Sequence, residues 1–231
     1  MRSIIEQYVG FLEQQLQLYG DEFALDRRML FSPDQESTAD LQDSWENAAS
    51  LEELQAIVVD CKRCHLAQSR QHVVFGQGKR DADLVLVGEA PGADEDRLGY
   101  PFVGKAGDML NKILTSVKLK REDIYICNIL KCRPPNNRDP LPEEIEMCLP
   151  YLEKQLEWIE PKVIVCLGRI AAHVLLETNE SLSKLRGRRH ERKGNDLYVT
   201  YHPAALLRNS RYKREVWQDV KEVRHQLESS S

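Results

Sequence analysis

No run in this 231-residue chain approaches the roughly 18 consecutive apolar residues of a membrane span. The opening stretch MRSIIEQYVGFLEQQLQLYG breaks its hydrophobic residues with Glu and Gln. That excludes a secretory signal peptide and gives a cytoplasmic expectation. No internal repeat is present, so solenoids and propellers are excluded. The pair Cys61-Lys-Arg-Cys64 has no second CxxC to match it, the arrangement a zinc ribbon ordinarily uses. In a reducing compartment, six cysteines read as ligands or core fillers and not as disulfides.

What is present suits one medium α/β domain with an appendage: 42% of the residues are hydrophobic and 30% are charged. The net charge of −5 conceals a division. Residues 1–60 carry 3 basic and 13 acidic side chains, whereas the remainder carries 29 basic and 24 acidic ones. The body is therefore mildly basic, which permits a polyanionic partner. Its basic residues gather in two groups, Lys184 to Lys193 and Arg208 to Arg214. On charge alone these read as solvated faces.

Residues 3–19 have the spacing of an amphipathic helix, and residues 32–50 read as an acidic spacer. A short helix over 51–59 leads into the cysteine pair. Strands and helices then alternate: LVLVG (84–88), a helix over 105–119, DIYICNIL (123–130), a helix over 142–159, KVIVCLG (162–168), a helix over 168–177, a strand at DLYVTYHP and a last helix over 212–227. This alternation predicts a three-layer αβα fold with a central, mostly parallel four-stranded sheet, preceded by an N-terminal helical extension. The division expected is 1–50 for the extension and 51–231 for the catalytic body. In such folds chemistry sits beyond the carboxyl ends of the strands.

Cys127 and Cys166 lie inside apolar strand runs and read as core. Cys61, Cys64, Cys132 and Cys148 lie outside them. Four spaced thiolates suit structural zinc or an iron–sulfur cluster, and the spacing does not choose between these. A thioredoxin-like redox pair fits less well, because this CxxC precedes the sheet instead of following a strand.

Four segments line up at strand ends: GEAPGADED (88–96), YPFVGKAG (100–107), NILKCRPPNNRDP (128–140) and HPAALLRN (202–209). Together with the CxxC, they resemble the iron–sulfur (type 4) uracil-DNA glycosylases over residues 55–227. The resemblance implies a 4Fe-4S cluster on Cys61, Cys64, Cys132 and Cys148. It also implies hydrolysis of the N-glycosidic bond of uracil in DNA, leaving an abasic site for base excision repair. The partner implied is uracil-containing DNA, single- or double-stranded.

The residue types suit that chemistry. An enzyme that removes a base must flip the nucleotide out and read its exposed edge. The Asn128 amide can donate to uracil O4 and accept from N3–H, worth about 1–3 kcal/mol of discrimination. Phe102 stacks on the base in the family. His202 is expected to hydrogen-bond O2 as negative charge develops there. The resemblance places Glu89, Ala90 and Pro91 around the uracil, with Glu89 also able to orient water, and sets Glu95 against C5, where thymine carries a methyl. Leu206 and Leu207 offer a wedge for the gap left in the stack, with Arg208 on phosphate.

One family branch forms a covalent adduct through a histidine in an insertion after the asparagine motif. Here that region reads CRPPNNRDPLP, without insertion or histidine, so turnover is expected. No lysine has the context of a lyase nucleophile. The competing reading is a non-catalytic iron–sulfur DNA-binding or replication-associated adaptor of the same fold, and a zinc-ribbon scaffold is a third. A complete pocket of Glu89, Phe102, Asn128 and His202 argues against a mere binder. The expected state is a nucleoid-associated monomer. Its N-terminal helix is dispensable for chemistry and available for a protein partner.

Overall fold

In a computed structural model of the chain, residues 45–229 are described. The helix expected over 3–19 and most of the acidic spacer lie outside them. The chain divides into two compact units at 46/47. The second unit opens with its own helix cap. Ser50 Oγ accepts from Glu53 N (3.1 Å), while the Glu53 carboxylate accepts from Ala49 N (2.7 Å).

The body runs α1 (Leu51–Val58), β1 (Gln77–Gly78), β2 (Leu84–Gly88), α2 (Ala93–Leu98), α3 (Lys105–Ser116), β3 (Tyr125–Asn128), α4 (Pro142–Ile159), β4 (Val163–Leu167), α5 (Arg169–Leu176), α6 (Leu182–Leu185), β5 (His190–Arg192), β6 (Asn195–Thr200), α7 (Pro203–Arg208) and α8 (Lys213–Ser229). The strand order is β1-β3-β2-β4-β6-β5. The four central strands are parallel, as expected, and β1 and β5 add short antiparallel edges. Strands of two and three residues are too short to leave an alternating pattern. That is why the sheet has six strands and not four.

The parallel strands are buried along nearly their whole length and mostly apolar, because both faces are covered. Leu84, Leu86, Ile126, Val163, Val165, Leu167 and Tyr198 pack with Leu110 and Leu114 of α3 and Val223 of α8. The alternate residues, among them Val85, Val87, Ile164 and Leu197, turn to the opposite face. There α5 lies against β4 and β2, and Gln155 of α4 donates to the Tyr125 hydroxyl at 3.2 Å. Cys127 and Cys166 are buried strand residues, as their apolar neighbours imply.

Right-handed crossovers make this arrangement directional. From β2 the chain steps to β3 on one side, whereas from β4 it steps to β6 on the other. The segments leaving β2 and β4 therefore part, opening a crevice at their carboxyl ends. Ligands of open α/β sheets bind at such a switch point.

Candidate active site

A cleft of about 520 Å³ occupies that position, within the range of small-molecule sites. Each central strand delivers residues to it: Glu89 to Gly92 after β2, Asn128 at the end of β3, Gly168 and Arg169 after β4, and His202 after β6. Glu95 and Phe102 from the segments around α2 also line it, and Arg208 closes one side.

Asn128 is buried, and its Nδ2 has no hydrogen-bond partner. A buried polar group left unsatisfied costs about 1–3 kcal/mol, so this amide is held ready for an acceptor. Its backbone is pinned from below. Lys131 Nζ donates to the Asn128 carbonyl (2.9 Å) and to Gln155 Oε1 (2.5 Å), deep in the interior. Gly88 supplies clearance on the other side. A methyl there would lie 2.3 Å from Asn128 Oδ1 and 2.8 Å from the tip of the Phe102 ring. Only glycine lets these two side chains converge.

Phe102 sits at φ 52°, a left-handed conformation that costs a bulky residue on the order of 1–3 kcal/mol. Its ring faces that of His202 at 5.5 Å between centroids. His202 caps α7, with Nδ1 accepting from Ala204 N at 3.2 Å. Burial, with Arg208 adding to it, holds the imidazole pKa down at about 4, while Glu95 works the other way. The ring is therefore neutral at pH 7. Because Nδ1 is the acceptor, the proton resides on Nε2. The capping role and a donor role toward the cleft are thus compatible.

Burial raises the Glu89 carboxyl to about 7; Asp139 pushes the same way and Arg169 opposes both. Asp139 and Arg169 form an ion pair at 2.7 Å on the cleft wall. Neither residue carried a sequence signal beyond lying next to a strand end or a proline. Glu95 lines the cleft, yet its carboxylate already accepts three backbone N–H groups: Gly92 (3.1 Å), Val103 (2.9 Å) and Gly104 (3.0 Å).

One expectation is corrected. Leu206 is a core residue, packed with Val117, Val216 and Val220, because α7 turns that side inward. Only Leu207, 48% exposed, remains available as a wedge. The basic group from Lys184 to Lys193 is largely committed to the fold. Arg186 pairs with Asp219, Arg188 with Glu180, Arg189 with Asp196, and Arg192 and Lys193 with Glu153.

Beside the cleft, Cys61, Cys64, Cys132 and Cys148 line one recess together with Arg70, Lys131 and Tyr151. Three of the sulfurs accept hydrogen bonds: Cys61 from the Tyr151 hydroxyl (3.2 Å), Cys132 from Arg70 (3.4 Å) and Cys148 from Lys131 N (3.2 Å). Burial pushes the Cys132 and Cys148 thiols up to about 11 and 12. Among the described residues, no three His, Cys, Asp or Glu side chains are grouped to hold a metal ion. A donor set of four cysteine thiols is one that can hold an iron–sulfur cluster or a structural zinc ion. The recess is tied to the cleft by His65, which follows the CxxC. Its Nε2 meets the fully buried Glu144 at 2.9 Å, and Glu144 holds cleft-lining Arg138 through both carboxylate oxygens.

The sequence matches the uracil DNA glycosylase superfamily over residues 75–221. It is 46% identical over 182 residues to a type-4 uracil-DNA glycosylase of Archaeoglobus fulgidus, covering 75% of this chain and 92% of that protein. The type-4 uracil-DNA glycosylase of Thermotoga maritima is 42% identical over 181 residues, 75% of this chain and 94% of the relative. A DNA polymerase of Bacillus phage SP01 shares 30% identity over 157 residues, 68% of this chain but 17% of the polymerase.

The crowded acids of the cleft make a measurable prediction. In carbon-13 NMR of the folded protein, the Glu89 carboxyl titrates near pH 7, and Arg169→Gln moves its midpoint higher by removing the opposing cation. A midpoint near 4.5, unmoved by Arg169→Gln, would show a solvated carboxylate instead.

Proposed function

This chain belongs to the type-4 uracil-DNA glycosylases of the uracil DNA glycosylase superfamily, and from that premise we propose how its cleft removes uracil from DNA. The observation that carries the reading is the buried, unpartnered amide of Asn128 beside Phe102 and a neutral His202. A uracil flipped into the cleft stacks on Phe102, with O4 accepting from Asn128 Nδ2 and N3–H donating to Oδ1. Cytosine offers an amino donor and a bare N3 at those atoms, so both bonds become repulsive. Base stacking adds about 1–3 kcal/mol.

Bond cleavage leaves negative charge on uracil O2 and a cationic sugar. His202 Nε2–H hydrogen-bonds O2 as that charge develops, stabilisation of the kind that lowers barriers most. Neutral at pH 7, the ring has no acidic proton to give, so it stabilises an anionic leaving group without transferring a proton. Glu89, with Ala90 and Pro91, borders the base. Above pH 7 its carboxylate orients the attacking water and offsets the sugar's positive charge. The buried Lys131, committed to Asn128 and Gln155, is no nucleophile, and the reaction is monofunctional hydrolysis. Leu207 fills the vacated stack and Arg208 meets phosphate.

The four cysteines of the recess would hold a 4Fe-4S cluster. Such a group supplies a four-point cross-link joining the end of α1, the segment after β3 and α4. We read the protein as a monomer working at the nucleoid. Among the described residues, no helix is long and apolar enough to cross a membrane. The N-terminal segment remains the proposed protein-docking element, dispensable for chemistry. The polymerase likeness leaves an adaptor as the second reading, and a pocket with a reader, a stacker and an oxyanion donor is more than an adaptor needs.

Two variants separate recognition from leaving-group stabilisation in single-turnover assays on uracil- and cytosine-containing DNA. Asn128→Asp lowers uracil excision by several orders of magnitude, since a carboxylate faces O4. His202→Ala lowers it by about 10²–10³ and leaves base choice unchanged, because O2 is common to both bases. Near wild-type excision by Asn128→Asp contradicts the pocket assignment. The cluster is checked by colour and metal content. The protein should be brown, with about four irons per chain, and Cys148→Ser should bleach it and lower its melting temperature. One stoichiometric zinc in a colourless protein refutes it.

A further inference from the structure

The peptides around Phe102 are held by two charged side chains from different parts of the fold. Before the ring, the Pro101 carbonyl accepts from Arg121 Nη2 at 2.5 Å, and Arg121 Nη1 is itself anchored on Asn111 Oδ1 of α3 at 3.2 Å. After the ring, Val103 N and Gly104 N both donate to Glu95 Oε1, and the second oxygen of that carboxylate reaches back to Gly92 N in the turn after β2. Burial lowers the Arg121 pKa, and Glu95 across the segment works the other way, favouring the charged guanidinium. Room for the strained peptide comes from Gly107 of α3, where a methyl would lie 1.9 Å from the Phe102 carbonyl oxygen. A left-handed phenylalanine persists only where its surroundings over-determine it, and these contacts do so.

We infer that Glu95 and Arg121 are positioning residues that act on the flipped base through Phe102, clamping its backbone so that the ring stands at stacking height beside Asn128 and His202. This rests on the reading that Phe102 stacks on uracil. It gives Glu95 a task other than crowding C5. With both oxygens engaged by backbone N–H groups, the carboxylate is a brace between the turn after β2 and the Phe102 segment. Arg121 lies outside every motif that the sequence marked for the cleft.

A double-mutant cycle tests it, using full-length protein, single-turnover excision from uracil- and thymine-containing DNA, and melting temperatures. Arg121→Ala and Glu95→Ala should each slow uracil excision by about 10–100-fold. In a Phe102→Ala background, the same changes should cost less than about 3-fold, the non-additivity expected of residues acting through one another. Arg121→Lys and Glu95→Gln, which each keep one arm of the brace, should recover part of the rate. They also provide folded proteins if the alanine variants do not fold. Equal losses in both backgrounds overturn the inference. Thymine excision gained by Glu95→Ala overturns it for Glu95 in favour of a direct gate on C5. Phe102→Ala with an unchanged uracil rate defeats the underlying stacking reading instead, so the two failures are distinguishable.

Discussion

A carboxamide held in the interior with its NH₂ unsatisfied is the constraint around which this site is organised. Left alone, the Asn128 side chain would turn toward solvent or a backbone acceptor. Its position at the last residue of β3, paired with Gly88 of β2, forbids that. Lys131 fixes the peptide from the interior, and Gly88 removes the side chain that would otherwise occupy the cleft floor. The same lysine donates its backbone N–H to Cys148 and precedes Cys132. Asn128 and the cysteine recess are therefore two ends of one short segment.

The electrostatics of the cleft follow from burial more than from charge pairs. Burial drives His202 down to about 4 and Glu89 up to about 7. Both shifts favour neutral side chains in the empty cleft. A neutral imidazole that carries its proton on Nε2 presents a fixed dipole to the cleft and demands little reorganisation when charge develops there. The surrounding cations are mostly spent. Arg169 is held by Asp139, and Arg138 by Glu144, while the basic group before β6 serves ion pairs that lock the edge of the sheet. Arg208, which lines the cleft, has no such acidic partner among the ion pairs of the described residues.

Much of this was legible in the sequence because it is local. Buried parallel strands announce themselves as apolar runs such as LVLVG and VIVCL, and the residues at their carboxyl ends can be read off directly. Asn128, His202 and Glu89 could be placed at the cleft that way, and the four cysteines at one recess by their position outside strand interiors. What escaped depends on partners distant in sequence. The Arg121 contact with Pro101 spans 20 residues, the Lys131 contact with Gln155 spans 24 and the His65 approach to Arg138 spans 73. No window along the chain contains both members. Leu206 and Leu207 were indistinguishable for a related reason. Adjacent residues on a one-turn helix differ only in which way the helix faces, and that is set by Val216 and Val220 some ten residues later.

The account stands or falls on what meets the orphaned amide. A crystal structure of the protein with free uracil, or with DNA carrying a non-hydrolysable uracil nucleotide, measures this most directly. The base is predicted between Phe102 and the opposite wall of the cleft, with Asn128 Nδ2 within about 3 Å of O4 and His202 Nε2 within about 3 Å of O2. A base bound elsewhere, or one that leaves Asn128 Nδ2 still without an acceptor, would contradict it.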